Sequence, residues 1–514
     1  MPGSINRARH FILAPCRCIL PQGIRTMKAL IAWLFEPDRD FVLASRLFIR
    51  ALALIYFAAF TSLALQIAGL AGPDGILPFQ NLLDYRLHNE GAAAWWRMPN
   101  LFWLNSSDWM LQTVAWLGSF LSLLLLVGRC QRPILILLFI LYLSLYHAGQ
   151  IFMNFQWDTL LLESGFLSIF LVSGPNRLLV FMFHWLLFRL RFMSGVSKLS
   201  SGDEAWSSLT TLKYYFETQP LPHVGSWYFH HLPEWMLTGG TVLALFSELI
   251  VPFFIFLPRP FRLFAAGVTI LMQTLIIASS NHNFINLLTI ALCLFLLDDR
   301  FLQKWLPWLS RFGKSGSPEP APPPLPVVER GLLALVSPLI IVSSLTVFAW
   351  SNFHWSAPRV LAKITGYTNS YGLGLDYHVF PTMQVQQQVL EIQGSHDGRD
   401  WKTYTFRYKP GAVSSAPRFI VPHQPRLDWM IWFVPSQANW NKEWFNGFMD
   451  ALLRGSPTVL ALLENNPFPD RPPRYLRVPA WEYHFTTPEQ RKATGNWWTR
   501  KYLGLFPHVP RRYP

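Results

Sequence analysis

The sequence predicts a polytopic α-helical membrane protein with a β-rich domain at its C-terminal end, outside the cytoplasm. Only 14% of the 514 residues are charged, whereas an ordinary soluble protein has about 25%. Hydrophobic residues make up 51% of the chain, and many form segments of the ~20 residues that cross a bilayer. No such segment follows residue 350, where strand and turn patterns begin instead. These observations exclude an ordinary cytosolic protein and a disordered chain.

Residues 1–40 are predicted to be a basic arm on the cytoplasmic side. The apolar run Phe11–Leu20 is interrupted by Pro15 and Arg17, and no small-residue cleavage site follows it. A signal peptide is therefore not indicated. Met27 begins a segment more typical of a membrane protein, so we expect the true start to be either Met1 or Met27.

About nine segments are predicted to cross the membrane, eight within residues 41–299 and a last one at residues 331–350. They are Leu47–Leu70, Met110–Gly128, Pro133–Phe152, Thr159–Ser173, Leu178–Ser194, Leu237–Leu257, Phe261–Ser279, Phe284–Leu297 and Gly331–Trp350. Thr159–Ser173 and Phe284–Leu297 are short for a span, so each is either a short crossing or a re-entrant helix.

Basic residues in the short loops predict the orientation, because arginine and lysine favour the cytoplasmic side. Nine crossings from a cytoplasmic N-terminus place three basic turns on that same side. These turns are Arg129/Arg132, Arg177 and Arg259/Arg262. The same count places the C-terminal part of the chain outside, in the ER lumen or the periplasm.

Topology also accounts for the net charge of +14. No pattern of basic residues interleaved with stacking aromatics predicts nucleic-acid binding. The expected partners are membrane lipids and an exported client protein. Residues 300–330 are basic and then proline-rich (SGSPEPAPPPLP), which predicts a cytoplasmic linker before the last span.

Residues 351–514 are predicted to form a β-sandwich-like α+β domain. Val389–Gln393 and Tyr404–Tyr408 have strand-type composition, and the Asp397-Gly398 turn lies between them. Apolar residues recur at helical spacing over Glu443–Leu463, and Gly455-Ser456-Pro457 predicts that this stretch divides into two helices.

Motifs of common enzymes are absent from the sequence. It contains no phosphate-binding glycine loop, no dinucleotide fingerprint and no paired-histidine zinc motif. Gly394–Gly398 places Ser, His and Asp side by side, but consecutive residues of an extended segment point to opposite faces, so we expect a plain turn. His223, His230 and His231 have no Cys or carboxylate at ligand spacing, so neither a metal nor a cofactor is predicted.

Ionisable residues inside the predicted spans are the candidate functional residues, because a charge in the bilayer is costly. They are Asp158, Glu163, Lys198 and Glu248. One interpretation is that they pair with nearby cations and hold helices together. The other is that Lys198 acts as a catalytic base in a solvated cavity, with the three carboxylates as partners. The sequence leaves both open.

Long motifs resemble the lipase maturation factor family over about residues 41–510. They include FQWDTLLLESGFL (Phe155–Leu167), LLFRLRFMSGVSKLSSGDEAW (Leu186–Trp206), GSHDGRDW (Gly394–Trp401), PHQPRLDWMIWF (Pro422–Phe433) and NPFPDRPPRYLRV (Asn466–Val478). The resemblance implies a polytopic ER membrane protein that helps secreted lipases to fold and assemble through its lumenal C-terminal domain. It supplies no catalytic residue. In a bacterium the chain would lie in the inner membrane, and its client need not be a lipase.

Two features depart from that resemblance. Between Tyr371 and Gly394 the chain is longer and more glutamine-rich than is usual in the family. The segment Lys198–Trp206 also resembles the K-L-x-x-x-W segment of the HTTM domain of vitamin K-dependent γ-carboxylases. That second resemblance implies catalysis by the lysine and supports the rival hypothesis of a membrane enzyme. A transporter has less support, because no inverted repeat is visible.

In the favoured hypothesis the C-terminal domain presents aromatic and charged side chains to its client, since tryptophan is enriched at binding hot spots. The candidate client-binding residues are Trp401, Arg426, Asp428, Trp429, Trp432, Trp497 and Trp498.

Overall fold

The computed structural model describes residues 27–308, 324–436 and 438–507. The predictions for residues 1–26, and for most of the proline-rich linker, therefore lie outside the described residues. The N-terminal part of the chain is helical, and a smaller domain with two sheets follows the last long helix.

The helices before the sheets are α1 (Met27–Leu34), α2 (Val42–Ala64), α3 (Ile67–Ala71), α4 (Phe79–Glu90), α5 (Ala93–Arg97), α6 (Asp108–Val127), α7 (Gln131–Ala148), α8 (Gln156–Leu171), α9 (Arg177–Ser200), α10 (Glu204–Ser207), α11 (Thr211–Thr218), α12 (Val224–His230), α13 (Glu234–Leu249), α14 (Arg259–Ser279), α15 (Ile285–Leu292), α16 (Leu294–Trp305), α17 (Val327–Phe353) and α18 (Arg359–Ser370).

Seven helical segments of the described chain are long and apolar enough to cross a membrane. They are Arg39–Ala64, Asp108–Val127, Gln131–Ala148, Arg177–Ser200, Glu234–Phe256, Arg259–Ser279 and Val327–Phe353. The two segments predicted to be short are helical as well, but α8 has only 16 residues and α15 only eight. The predicted count of nine crossings is therefore not confirmed.

One predicted span boundary was wrong. The first span ends at Ala64 rather than Leu70, because Gln66 leaves the helical conformation and α3 begins as a separate short helix. The span predicted to end at Leu257 ends at Phe256, but it is α-helical only to Leu249, and a 3₁₀ turn completes it. Pro252 lies in that turn and cannot donate the backbone hydrogen bond that a continuous α-helix needs.

The turns that carry the predicted cytoplasmic arginines meet at one end of the helix bundle. Arg132 forms an ion pair with Glu329 at 2.8 Å, and Arg177 pairs with Glu36 at 2.6 Å. At the same end Asp299 accepts hydrogen bonds from the backbone N–H groups of Leu43 and Ala44, at the start of α2. A carboxylate at a helix N-terminus satisfies free donors and the helix dipole.

The C-terminal domain contains β1 (Gln387–Leu390), β2 (Ile392–Ser395), β3 (Lys402–Tyr404), α19 (Arg426–Ile431), α20 (Asn439–Arg454), α21 (Pro457–Leu460), β4 (Tyr475–Arg477), β5 (Pro479–Phe485), α22 (Pro488–Thr494) and β6 (Trp498–Leu505). The turn between β2 and β3 includes Gly398 at φ +76°, as the Asp-Gly dipeptide predicts. Helices α20 and α21 confirm the predicted division at Gly455 to Pro457.

The two sheets have the strand orders β1-β5-β6 and β3-β2-β4, and every pairing is antiparallel. They share one ladder, because the register of Leu390 opposite Ala480 continues without a shift to Gln393 opposite Arg477. The predicted β-sandwich is not confirmed. One face of this ladder packs on Trp444 and Phe448 of α20.

Candidate functional site

Arg426 joins the C-terminal domain to the helix bundle through a buried ion pair with Asp158. The guanidinium Nη1 and Nη2 atoms lie 2.6 and 2.7 Å from the two carboxylate oxygens. Tyr142 donates its hydroxyl hydrogen to the same carboxylate at 2.6 Å, and Arg426 also donates to the carbonyl of Phe152. A bidentate pair of this kind is strong and directional, so it fixes the position of α19 against α7 and α8.

The side-chain amides of Gln66 and Asn283 extend this joint to Gln424, two residues before Arg426. Gln66 accepts the backbone N–H of Arg426 at 2.7 Å, and its side-chain amide donates to the carbonyl of Gln424 at 2.9 Å. Asn283 donates to the side chain of Gln424 at 3.0 Å. The joint therefore connects α19 to residues at the ends of α2 and α14, not to α8 alone.

Glu163 holds the segment that connects α18 to β1. Its carboxylate pairs with Arg189 and accepts the backbone N–H of Gly374 at 2.9 Å, while Arg189 donates to the carbonyl of Leu375 at 3.0 Å. We name residues 371–383 the inserted segment, because they lie between α8, α9 and α17. This is the first half of the stretch that departs from the family resemblance.

Gly374 adopts φ +66°, a conformation that favours glycine. A Cβ atom at this position would lie 2.9 Å from the Cβ of Ser343 and 3.0 Å from the carbonyl oxygen of Ile340. The backbone of the inserted segment therefore packs directly on α17.

Lys198 is buried, and its ammonium group pairs with one carboxylate and donates to two backbone carbonyls. It lies 2.7 Å from Glu248, and it donates to the carbonyls of Val379 at 2.7 Å and Ser194 at 3.2 Å. The contact with Val379 ties α9 to the inserted segment. Of the two interpretations of Lys198, this geometry favours the structural one over the catalytic base.

Arg191 completes this cluster on α9. It lies 3.5 Å from Glu248 and donates to the hydroxyl of Ser247 at 2.8 Å. Gly195 allows α9 and α13 to approach, because an added Cβ would lie 2.9 Å from the Cβ of Glu248. All four ionisable residues predicted to be functional are thus paired with an oppositely charged side chain, which for Asp158 belongs to the C-terminal domain.

Two cavities flank the inserted segment. The first has a volume of about 260 Å³, lies within the helix bundle and is lined by Arg191, Lys198 and Glu248 among apolar side chains. The second, of about 440 Å³, lies between the bundle and the C-terminal domain and is lined by Trp429 and Trp432. His282, Val379 and Phe380 line both cavities, so they form the wall between them.

Five of the seven predicted client-binding residues are buried in the structure. They are Arg426, Asp428, Trp429, Trp497 and Trp498. Trp401 and Trp432 are half-buried, and Trp432 donates its indole N–H to the carbonyl of Thr218 at 2.8 Å. Most of these aromatics therefore form the core of the domain and its joint with the bundle, which leaves Trp401 as the candidate on the outer surface of the sheet.

Asp428 is buried in the C-terminal domain, and its carboxylate accepts hydrogen bonds from backbone N–H groups. Its Oδ1 atom accepts the N–H groups of Tyr408 at 2.7 Å and Lys409 at 3.0 Å. Burial raises the pKa of Asp428 to about 6, and burial lowers the pKa of the nearby Lys409 to about 8. Both shifts favour the uncharged forms. Charged Asp428 and Lys409 at neutral pH therefore lower the stability of the folded domain.

The outer face of the shared ladder carries a row of arginine–aromatic contacts, which we name the aromatic–arginine face. It consists of Trp401, Arg477, Trp481, Arg500 and Tyr502. Arg477 lies 4.3 Å above the ring of Trp401, and Arg500 lies 4.1 Å above the ring of Trp481. The rings of Trp481 and Tyr502 are 5.0 Å apart, and Tyr502 is 53% exposed. This face combines rigid aromatic surface with positive charge.

Of the residues of this face, the sequence predicted only Trp401 to bind a client. The other members lie on β4, β5 and β6, and their proximity follows from strand pairing across long sequence separations. The available signal was the spacing of Arg477 and Trp481, because an even number of positions places both side chains on one face of an extended segment. Among the described residues, no group of three or more His, Cys, Asp or Glu side chains is placed to hold a metal ion.

Comparison with known proteins identifies the family. Residues 43–304 match the lipase maturation factor transmembrane domain, and residues 368–507 match the lipase maturation factor C-terminal domain. The chain is 31% identical to lipase maturation factor 2 of Xenopus laevis, in an alignment that covers 90% of this chain and 82% of the relative. It is 33% identical to lipase maturation factor 1 of Mus musculus, over 89% of this chain and 85% of that protein.

Lipase maturation factor 1 of Homo sapiens is 31% identical, over 89% of this chain and 86% of the human protein. No solved structure matches the chain. The matched regions coincide with the apolar helix bundle and with the domain that contains the aromatic–arginine face. This chain is an integral membrane protein and belongs to the lipase maturation factor family.

Proposed function

We propose that this chain is a membrane-bound maturation factor that binds exported proteins, lipases among them, while they fold. In this proposal the C-terminal domain lies in the ER lumen, or in the periplasm of a bacterium, and the aromatic–arginine face contacts the client. The observation that carries the proposal is this half-exposed row of stacked arginine and aromatic side chains on a rigid sheet.

The chemistry of the face suits a partly folded polypeptide. Tryptophan, tyrosine and arginine are the residues most enriched at binding hot spots, because each buries much apolar area and keeps a polar group available. The neighbouring strand β6 also forms an edge of its sheet. A free edge offers backbone N–H and C=O groups to an extended client strand, and Arg500 and Lys501 on β6 discourage association between copies.

The joint at Arg426 supports the same proposal. It fixes the C-terminal domain to the end of the bundle opposite the arginine-rich turns. Under the predicted topology that end lies outside, where an exported protein emerges. A rigid joint keeps the aromatic–arginine face at a constant distance from the membrane.

We do not propose the rival membrane enzyme. Lys198 already pairs with Glu248 and donates to two backbone carbonyls, and the matched family supplies no reaction for it. The contacts of Glu163 and Asp158 likewise suit positioning of the inserted segment and of α19.

The test is the specific activity of a secreted lipase, per unit of lipase protein, in cells that lack this gene. Complementation would use the wild type, the double variant Trp401→Ala/Tyr502→Ala, and Phe419→Ala as a matched control, since Phe419 is 57% exposed elsewhere in the domain. Truncation of a hot-spot aromatic costs ~2 kcal/mol or more, so we expect the double variant to fail and the control to rescue.

Full rescue by the double variant, at normal protein level, would exclude this face as the client-binding surface. Normal lipase activity in the empty deletion would show instead that this lipase is not a client. Crosslinking of newly exported proteins to a photoreactive group at position 502 would then test whether another exported protein binds this face.

A further inference from the structure

The cavity within the helix bundle has one more positive charge than negative charge. Arg191 and Lys198 both face Glu248, and no other carboxylate of the described residues lies within ion-pair distance of either. The other buried pairs nearby are balanced, with Arg189 opposite Glu163. An uncompensated buried cation is costly, so this cluster favours a further negative charge.

Arg191 also has a donor without an acceptor. Its Nε–H finds no hydrogen-bond partner among the described residues, although the side chain is only 6% exposed. Buried donors without partners are uncommon in folded proteins, so the Nε–H of Arg191 is open to an acceptor from a ligand. The Oδ1 atom of buried Asn286 on the same cavity wall is unpartnered as well, but it is an acceptor and gives no support to an anionic ligand.

The remaining walls of the cavity are apolar. They include Phe216, Phe229, Met236, Leu237 and Ile276. The volume of about 260 Å³ is near the lower limit of ligand sites, which is about 300 Å³. Met236 is 40% exposed, so the apolar lining reaches the surface of the protein. Such a chamber accommodates one hydrocarbon chain and is too small for a two-chain phospholipid.

We propose that this cavity binds a long-chain fatty-acid carboxylate. The carboxylate accepts hydrogen bonds from Arg191 and neutralises the excess charge, and the acyl chain lies along the apolar wall towards Met236. The inserted segment closes the chamber at the carboxylate end, since Val379 and Phe380 line it. This inference depends only on the cavity and is independent of the proposed client-binding face.

The experiment measures saturable binding of radiolabelled palmitate to the purified full-length protein in detergent. Hexadecanol, which has the same chain without the charge, and a single-chain lysophosphatidate serve as competitors. The variants are Arg191→Gln, Glu248→Gln and the cavity-filling Ala244→Leu, with Arg259→Gln as the arginine control. Arg259 pairs with Asp298 at the other end of the bundle, outside the cavity.

Arg191→Gln removes the open donor and balances the charge, so we expect palmitate to bind about tenfold to a hundredfold more weakly, as for the loss of a charged hydrogen bond. Glu248→Gln increases the excess positive charge, so we expect tighter binding. Ala244→Leu should weaken binding by loss of space, and Arg259→Gln should leave it unchanged.

Several results would overturn the proposal. Equal competition by hexadecanol would show that no charge is recognised, and displacement by lysophosphatidate alone would show that the ligand is not a carboxylate. Full binding in Ala244→Leu would place palmitate elsewhere on the protein. If both charge variants lose binding equally, the cluster acts through folding and not through charge, which also contradicts the proposal.

Discussion

Arg426 and Asp158 lie 268 positions apart in the chain, yet they form a bidentate ion pair that is almost fully withdrawn from solvent. Asp158 lies in the first turn of α8, and Arg426 is the first residue of α19. The pair thus converts two separately folded regions into one unit. Burial of two charges is expensive unless geometry and hydrogen bonding are nearly ideal, and here Tyr142 supplies an additional donor.

Removal of one partner of this pair should separate the two domains. For Arg426→Met we expect a loss of ~3–5 kcal/mol, because Asp158 is left buried and uncompensated. The double variant Asp158→Leu/Arg426→Met should recover most of that loss. The measurement is thermal unfolding in detergent, combined with protease cleavage in the inserted segment. A double variant that is less stable than both single variants would contradict this account.

Gly195→Ala should push α13 away from α9. The added methyl group would lie 2.9 Å from the Cβ of Glu248, in backbone-level contact that a side-chain rotation cannot relieve. We expect a destabilisation of ~1–3 kcal/mol, as for overpacking of a core. Gly267→Ala on α14 is the matched control, because nothing lies within 4 Å of its added Cβ; it should be neutral or stabilising. Equal unfolding temperatures for the two variants would refute the close helix contact.

Gly374→Ala should release the inserted segment. Alanine is strained at φ +66°, and its Cβ would meet Ser343 and the carbonyl oxygen of Ile340. The expected result is faster proteolysis within residues 371–383, with the helix bundle intact. Gly366→Ala on α18, which has open space around its added Cβ, should be cleaved at the wild-type rate.

The Asp428–Lys409 pair should give the C-terminal domain a stability minimum near neutral pH. Between about pH 4 and 6, the folded protein keeps a proton on Asp428 that the unfolded chain has released, so the free energy of unfolding falls as pH rises. Between about pH 8 and 10, the unfolded chain keeps a proton on Lys409 that the folded protein has lost, so the free energy of unfolding rises again.

Each part of this pH profile can be tested by one substitution. Asp428→Asn should flatten the acidic part, since its side-chain oxygen still accepts the N–H groups of Tyr408 and Lys409. Lys409→Met should flatten the alkaline part. The measurement is the unfolding temperature of the full-length protein from pH 4 to about 10. A wild-type profile that rises steadily from pH 4 to 7 would contradict the shift assigned to Asp428.

The sequence predicted those features that depend on local pattern. The apolar runs predicted the long helices, and Gly455 to Pro457 predicted the break between α20 and α21, because both signals are contained in a few adjacent residues. The ionisable residues within the bundle were also recognisable one by one. Asp158 was predicted as a possible catalytic partner and Arg426 as a client contact, and their mutual pairing was missed. Nothing in either local segment indicates which distant charge it meets.

The aromatic residues of the C-terminal domain show the same limit. Trp401 and Trp498 have equally polar neighbours in the sequence, yet Trp401 is half-buried and Trp498 is buried against Phe485, on the same face of its sheet as Arg500 and Tyr502. The neighbours that cover a strand residue depend on register. Here the register is set by pairing between residues 387–395 and 475–485, and composition carries no information about it.

The shared ladder also determines when the domain can form during biosynthesis. Strand β1 pairs with β5, and β2 pairs with β4, and each of these partners is made 80 or more positions later in the chain. Pairing over such distances is slow. The helix bundle will therefore be inserted while Asp158 still lacks its cation, and the newly made C-terminal region remains open until translation is almost complete. The C-terminal domain of this protein is thus assembled late, after insertion of the helix bundle. Premature termination before residue 485 leaves a membrane-embedded fragment that lacks a complete β5, the central strand of its sheet.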